Sequence, residues 1–247
     1  MDAIGIIPAR YHSTRFDGKV LKDLLGKSLI QHVWDNAKRA SMLEDLIVAT
    51  DDERIESEVL RFGGKVILTA KEHKSGTDRL GEVVNPIDVK VVVNIQADEP
   101  LLHPSMIDDM VRSLLENKDI DMATLMKRIT DPKELTNPSI VKVVTDKNGY
   151  ALYFSRSMIP YPRVKKNANF YKHIGLYAFT KDFLFTFTNL PPSTLENIEG
   201  LEQLRILENG YKIKVVETQF DTIGIDTPED LERAEEVLKS RGTKYNE

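Results

Sequence analysis

Short apolar runs alternate with amphipathic stretches through the first half of the chain, the pattern of successive β-α units around a mainly parallel sheet. Residues 4–7 are predicted as the first strand. Ser28 then stands as a helix N-cap, and Leu29, Ile30, Val33 and Ala37 recur at helical spacing on a helix that ends near Ala40. Residues 46–49 form the next strand, Asp51 or Asp52 caps a helix through Phe62, and Gly63-Gly64 breaks it before a third strand at 65–68. Another helix begins at Thr77. The β-branched run 91–95 has no polar alternation, as expected of a central parallel strand covered on both faces.

After a helix over 105–116 the rhythm changes. Four strand-like segments, 122–126, 140–144, 150–155 and 174–179, follow with few helices between them. They predict an inserted, mostly antiparallel layer spanning roughly 122–180, within one domain of 1–247. Helices resume near Thr180 and over about 201–208, stopped by Gly210, before a strand at 212–216. Thr227 and Pro228 open a last helix to Lys239, and the tail from Arg241 is expected to fray. The fold class is therefore α/β: a doubly wound, mainly parallel sheet with helices on both faces.

Composition narrows the functional classes. The 247 residues are 41% hydrophobic and 30% charged, which suits a folded protein with a sizeable core. No cysteine is present, so disulfides, thiolate nucleophiles and cysteine-built zinc sites are excluded, and a reducing, cytoplasmic setting is expected. No apolar run approaches the roughly 20 residues that a membrane-spanning helix needs. The net charge of -5 argues against nucleic acid as a partner. Yet five cations (Arg10, Arg15, Lys19, Lys22, Lys27) face only two anions between positions 10 and 27, a local excess suited to a small polyanion.

That excess lies in PARYHSTRFDGK (8–19), which leaves the end of strand one, where ligands sit in doubly wound sheets. The loop follows neither the Walker A nor the dinucleotide glycine pattern. Arg10, Arg15 and Lys19 suit the neutralisation of a triphosphate, with Ser13 and Thr14 as hydrogen-bonding groups, and a plainly solvated loop is the competing interpretation. The strand 91–95 ends in Asn94-Ile95-Gln96-Ala97-Asp98-Glu99-Pro100, so two carboxylates share one sheet edge. Asp98 is the better candidate to hold magnesium against a nucleotide. Asp226 ends another strand, but in Asp-Thr-Pro ahead of a helix; on these residues alone, capping is its stronger role.

The motifs PARYHSTRFDGK, KSGTDRL (74–80), VVNIQADEP (92–100), YALYFSRSMIP (150–160), YKHIGLYAF (171–179), LEQLRILENG (201–210) and GIDTPEDLE (224–232) run in order along nearly the whole chain. Together they resemble the 3-deoxy-manno-octulosonate (Kdo) cytidylyltransferases. The resemblance implies a nucleotidyltransferase fold and a homodimer formed through the inserted strands. It further implies magnesium-dependent transfer of CMP from CTP to an eight-carbon sugar acid, with release of pyrophosphate, for lipopolysaccharide synthesis. Carried over position by position, Arg10 and Lys19 bind the triphosphate, Ser75, Gly76 and Arg79 help to seat the nucleotide, and Gln96 lies near base or sugar. Asp98 and Asp226 become metal ligands, which reverses the capping preference for Asp226. Arg156, His173, Tyr177, Glu202 and Gln203 line the sugar pocket, with Arg156 matched to the substrate carboxylate. Without the resemblance, His173 is a hydrogen-bonded structural histidine and Tyr177 a core or rim aromatic.

Two positions depart from that family pattern. Ala97 stands where glycine is usual, and Phe16-Asp17 where Leu-Pro is usual. The alanine methyl is expected to crowd the nucleotide, and Asp17 to oppose its phosphates unless it points to solvent. An altered sugar such as an amino-substituted Kdo, another acidic sugar, or a catalytically silent scaffold are the alternatives.

Overall fold

The computed structural model describes residues 1–12, 16–73, 76–164 and 168–243. Its frame is a nine-stranded sheet. Strand β1 (Ala3–Ala9) lies between β4 (Asp45–Thr50) and β6 (Val91–Asn94) and is parallel to both, and β5 (Val66–Leu68) extends the parallel set beyond β4. The small hairpin of β2 (Asp23–Leu24) and β3 (Lys27–Ser28) stands apart from it.

Side-chain alternation decides what covers the sheet. Ile4 and Ile6 of β1 point to one face, and Ala3, Ile7 and Ala9 to the other. The second face packs on α1 (Leu29–Ala37), α2 (Glu53–Arg61) and α4 (Pro104–Glu116), through side chains such as Ile30, Trp34, Val59 and Met110. The first face packs on α3 (Gly76–Val84) and α6 (Lys181–Asn189), through Leu80, Val84, Phe183 and Phe187. Helices thus cover both faces, as the alternating pattern predicts. Gly5 permits this close packing: a Cβ there would meet Leu46, Leu43 and Ile95 side chains at 2.8 to 3.0 Å.

Local signals hold with informative exceptions. Asp52, not Asp51, caps α2 by accepting from the Arg54 amide at 3.0 Å. Ser28 occupies the N-cap position of α1, but its hydroxyl makes no cap bond. The helix expected over 201–208 starts later, as α8 (Leu204–Glu208), and a short helix not expected there, α7 (Thr194–Glu199), precedes it and ends at Gly200, which turns the chain left-handed at φ 63°. The last helix, α9 (Pro228–Thr243), runs past Lys239; residues 244–247 of the expected frayed tail lie outside the described residues.

The segment after α4, which carries the short helix α5 (Pro132–Thr136), joins the same sheet. β7 (Met122–Arg128) and β10 (Tyr171–Thr180) are antiparallel to each other, β10 is antiparallel to β6, and β11 (Lys214–Glu217) is parallel to β7. Only β8 (Lys142–Thr145) and β9 (Ala151–Ser155) hang from the edge of β10 as an antiparallel ribbon. Between Ile174 and Tyr177 the register of β10 against β7 shifts, so the strand bends at Gly175. That bend lies beside the carboxyl end of β6, and the chain order reverses across β1 and β6. A crevice at this reversal is where such sheets bind ligands.

Candidate active site

The loops that leave β1 and β6 emerge side by side, because their strands are hydrogen-bonded neighbours. Lys19 follows the first loop and sends its ammonium across to the second. Nζ donates to Asp98 Oδ2 at 2.6 Å, to the Ile225 carbonyl at 2.9 Å and to Asp226 Oδ1 at 3.0 Å. The two carboxylate oxygens therefore lie no more than about 5.6 Å apart, the sum of those two bonds. A backbone bond from the Ile225 amide to the Asp98 carbonyl, 2.9 Å, ties their segments together. Burial works against charge on Lys19, but Asp98 and Asp226 outweigh it and hold the ammonium above the usual lysine range.

The competing cap role of Asp226 falls to its neighbours. Thr227 Oγ1 accepts from the Asp230 amide at 3.3 Å, and the Asp230 carboxylate accepts from the amides of Asp226 and Thr227 at 3.2 and 3.1 Å. These reciprocal bonds open α9 and leave the Asp226 side chain turned to Lys19. One ammonium between two carboxylates carries a net negative charge, so the cluster can accept a further cation.

Around this cluster the other nucleotide candidates divide. Arg10 leaves β1 and donates from Nη2 to the His73 carbonyl, which binds the first loop to the segment ahead of α3. Gly76 begins α3 against Pro8, where a Cβ would sit 3.3 Å from Cγ of the proline ring. Arg79 is fully buried and bonds Thr69 Oγ1 and Asp51 Oδ2, the latter at 2.8 Å. Arg79 thereby fastens α3 to the ends of β4 and β5. Gln96 donates from Nε2 to the Gly175 carbonyl at 3.3 Å, bridging the end of β6 to the bend in β10. Ser13, Thr14, Arg15 and Ser75 lie outside the described residues.

The two departures from the family pattern lie in different surroundings. The Ala97 methyl is packed into the hydrophobic core, away from open space. Asp17 is exposed and bonds His12 Nδ1 at 3.1 Å.

Next to the acid cluster a cavity of about 650 Å³ is lined by Glu99, His173, Tyr177, Gln203, Asp226 and Lys172, among others. His173 bonds Thr124 Oγ1 at 2.9 Å and meets Phe154 edge-on at a centroid distance of 4.9 Å. Enclosure without a charged partner drops its pKa to about 3, so the ring is neutral near pH 7. Burial raises the Tyr177 phenol far above its ordinary value, and the carboxyls of Glu202 and Glu99 add to it. Glu202 takes a 3.3 Å hydrogen bond from Thr77 and is likewise raised by burial. It opens on a neighbouring cavity of about 560 Å³, lined also by Asp78 and Arg205, rather than on the first.

Arg156 does not join this group. Its Nε, Nη1 and Nη2 donate to the carbonyls of Glu199, Pro138 and Gly200 at 2.7, 3.0 and 3.4 Å, and it lines neither cavity. In this arrangement the fork braces the turn after α7. Sequence patterns did not single out Lys172, whose ammonium lies 2.7 Å from Glu134 and 3.0 Å from Asp221 at the cavity wall. Nor did they assign Glu99, whose carboxyl is pushed up to about 8 by burial and by Asp98 beside it. Its place directly after Asp98 was the only available signal.

Residues 4–213 match the family profile described as Cytidylyltransferase. A 3-deoxy-manno-octulosonate cytidylyltransferase of Geotalea uraniireducens is 50% identical, over 97% of this chain and 100% of its own length. One from Fusobacterium nucleatum subsp. nucleatum is 49% identical, over 99% and 100%. Among solved structures, a CMP:2-keto-3-deoxy-manno-octonic acid synthetase complexed with CTP superposes with a TM-score of 0.93 at 41% identity, covering 98% of this chain and all of that one.

Proposed function

Because the chain belongs to the 3-deoxy-manno-octulosonate cytidylyltransferases, we propose that it transfers CMP from CTP to the anomeric hydroxyl of Kdo, releasing pyrophosphate for lipopolysaccharide synthesis. The observation that carries this is the convergence of Lys19, Asp98 and Asp226 at the sheet reversal, beside a cavity of sugar size.

The chemistry is an in-line displacement at the α-phosphorus, which calls for positioning and charge neutralisation rather than a covalent enzyme intermediate. Arg10 and Lys19 supply positive charge to the triphosphate. Asp98 and Asp226 would hold magnesium, whose chemistry there is to neutralise phosphate charge as pyrophosphate departs. The fit is supported by three oxygens already gathered on one cation. Magnesium takes few protein carboxylates and completes its shell from phosphate and water. Among the described residues, no group of three or more His, Asp or Glu competes as an ion site. His173, neutral and fixed by Thr124, and Tyr177, kept as a phenol, offer uncharged hydrogen-bonding groups to the sugar.

A homodimer is the proposed assembly, supported by the exposed apolar side chains Leu152, Tyr161, Val164 and Ile198 on and around the β8–β9 ribbon and α7. A cytoplasmic setting agrees with the cysteine-free chain and with a supply of CTP. Among the described residues no helix is long and apolar enough to cross a membrane.

Pyrophosphate release, measured with magnesium, each of the four nucleoside triphosphates and a panel of acidic sugars, tests the proposal. Release with CTP and Kdo is expected. Release only with a sialic-acid-like or amino-substituted sugar, or none with any pair, would refute it.

A further inference from the structure

Lys19 reaches Asp98 and Asp226 only if the loop ahead of it closes in one way, and the contacts at that closure involve residues outside the cluster. The Gly18 amide donates to the Tyr11 carbonyl at 2.8 Å, which draws the two ends of the loop together directly before Lys19. Gly18 is left-handed at φ 65°, and a Cβ there would meet Cζ, Oη and Cε2 of the Tyr11 ring at 3.0 to 3.2 Å. The ring therefore lies against the Gly18 backbone. Arg54, the second residue of α2, stands over the same ring, its Cζ 3.2 Å from the ring centroid. Two further bonds aim the guanidinium. Nε and Nη2 donate to Oδ1 and Oδ2 of Asp52 at 2.9 and 2.6 Å, and Asp52 is itself fixed as the cap of α2.

A guanidinium over a phenol ring is attracted by the negative face of the π system, and its planar shape stacks where an ammonium offers only a point charge. Glycine at position 18 brings the backbone into contact with the ring, so a displaced ring displaces residue 18 and Lys19 next to it. Asp52, Arg54, Tyr11 and Gly18 thus link the start of α2 to the cation of the acid cluster. We propose that Tyr11 and Arg54 are positioning residues for triphosphate binding: their stack holds Gly18, and through it the Lys19 ammonium, where phosphate charge is met. This rests on the functional proposal above. Neither residue lines the sugar-sized cavity, so the effect falls on CTP and not on Kdo.

The test is a double-mutant cycle of Tyr11→Leu and Arg54→Met in the full-length protein, with Tyr11→Phe and Arg54→Lys as conservative variants. Calorimetric binding of CTP with magnesium, steady-state KM for CTP and for Kdo, and thermal midpoints are measured. Arg54→Met is expected to weaken CTP binding about three- to fivefold and Tyr11→Leu about tenfold, with the Kdo KM within about twofold in both. Tyr11→Phe keeps the CTP affinity of the wild type, because the ring face remains, and Arg54→Lys falls between wild type and Arg54→Met. In the Tyr11→Leu background Arg54→Met has little further effect, since the two side chains act as one contact. An Arg54→Met effect of equal size in both backgrounds would overturn the proposal, reducing Arg54 to a charge that attracts the nucleotide. Should Tyr11→Leu fail to fold, Arg54→Met still decides, because that side chain is 54% exposed: unchanged CTP affinity in it would overturn the proposal. Equal losses toward CTP and Kdo would do the same, assigning the stack to general stability. A wild-type protein that binds no CTP would instead sink the functional proposal beneath it.

Discussion

The two ends of the crevice solve opposite electrostatic problems. On the side of β1 and β6 the charged groups are paired with one another: Lys19 with Asp98 and Asp226, Arg79 with Asp51. On the side of β10 the enclosed polar groups are neutral or unpartnered: His173, Tyr177, Glu99 and Gln203. The first arrangement ties the loops after β1 and β6 to their neighbours through charge, whereas the second encloses polar groups with little charge.

Breaking the paired side should cost the most stability. Arg79→Met leaves Asp51 and Thr69 without their guanidinium partner inside the fold, and loss of one member of a buried ion pair costs about 3 to 5 kcal/mol. Urea unfolding checks this, and a loss below about 1 kcal/mol would show that the pair is not holding α3.

The neutral side should reveal itself through pH, with a smaller effect. His173 titrates at about 3 in the folded chain, against 6.5 for the ordinary imidazole. Between these values the unfolded chain binds a proton that the folded chain refuses, so stability is full above about 6.5 and falls as pH drops toward 3. The slope from this group is at most about 1.4 kcal/mol per pH unit. His173→Gln should lessen that acid sensitivity by this amount in melts taken from pH 7 to pH 4. An unchanged pH profile would mean that His173 protonates freely in the native protein.

The same contrast explains what could be read from sequence. The parallel half was legible because buried strands such as β6 are continuous apolar runs and their helices carry clear stripes. Asp98 was legible as an acid at the end of such a strand. Asp226 was not, since Asp-Thr-Pro serves equally as a helix start; only the Thr227–Asp230 bonds free its side chain. Long polar side chains were the hardest to place. Arg79 and Arg156 look alike as ligand-binding arginines, yet one is a strut in the core and the other grips three carbonyls at a turn. Their partners are set by tertiary packing and leave no local pattern. Glu99 was hidden for the same reason, because whether a carboxyl faces water or a closed cavity depends on strands more than 70 residues away.

The joint action of Asp98 and Asp226 on one cation is most directly tested by a double-mutant cycle in kcat, using Asp98→Asn, Asp226→Asn and both together, with thermal midpoints confirming folding. If they work as a unit, each single change lowers kcat by about 10²- to 10³-fold and the double variant is scarcely worse than the more damaged single one. Losses that multiply independently, or a single variant with near-normal turnover, would contradict a shared site.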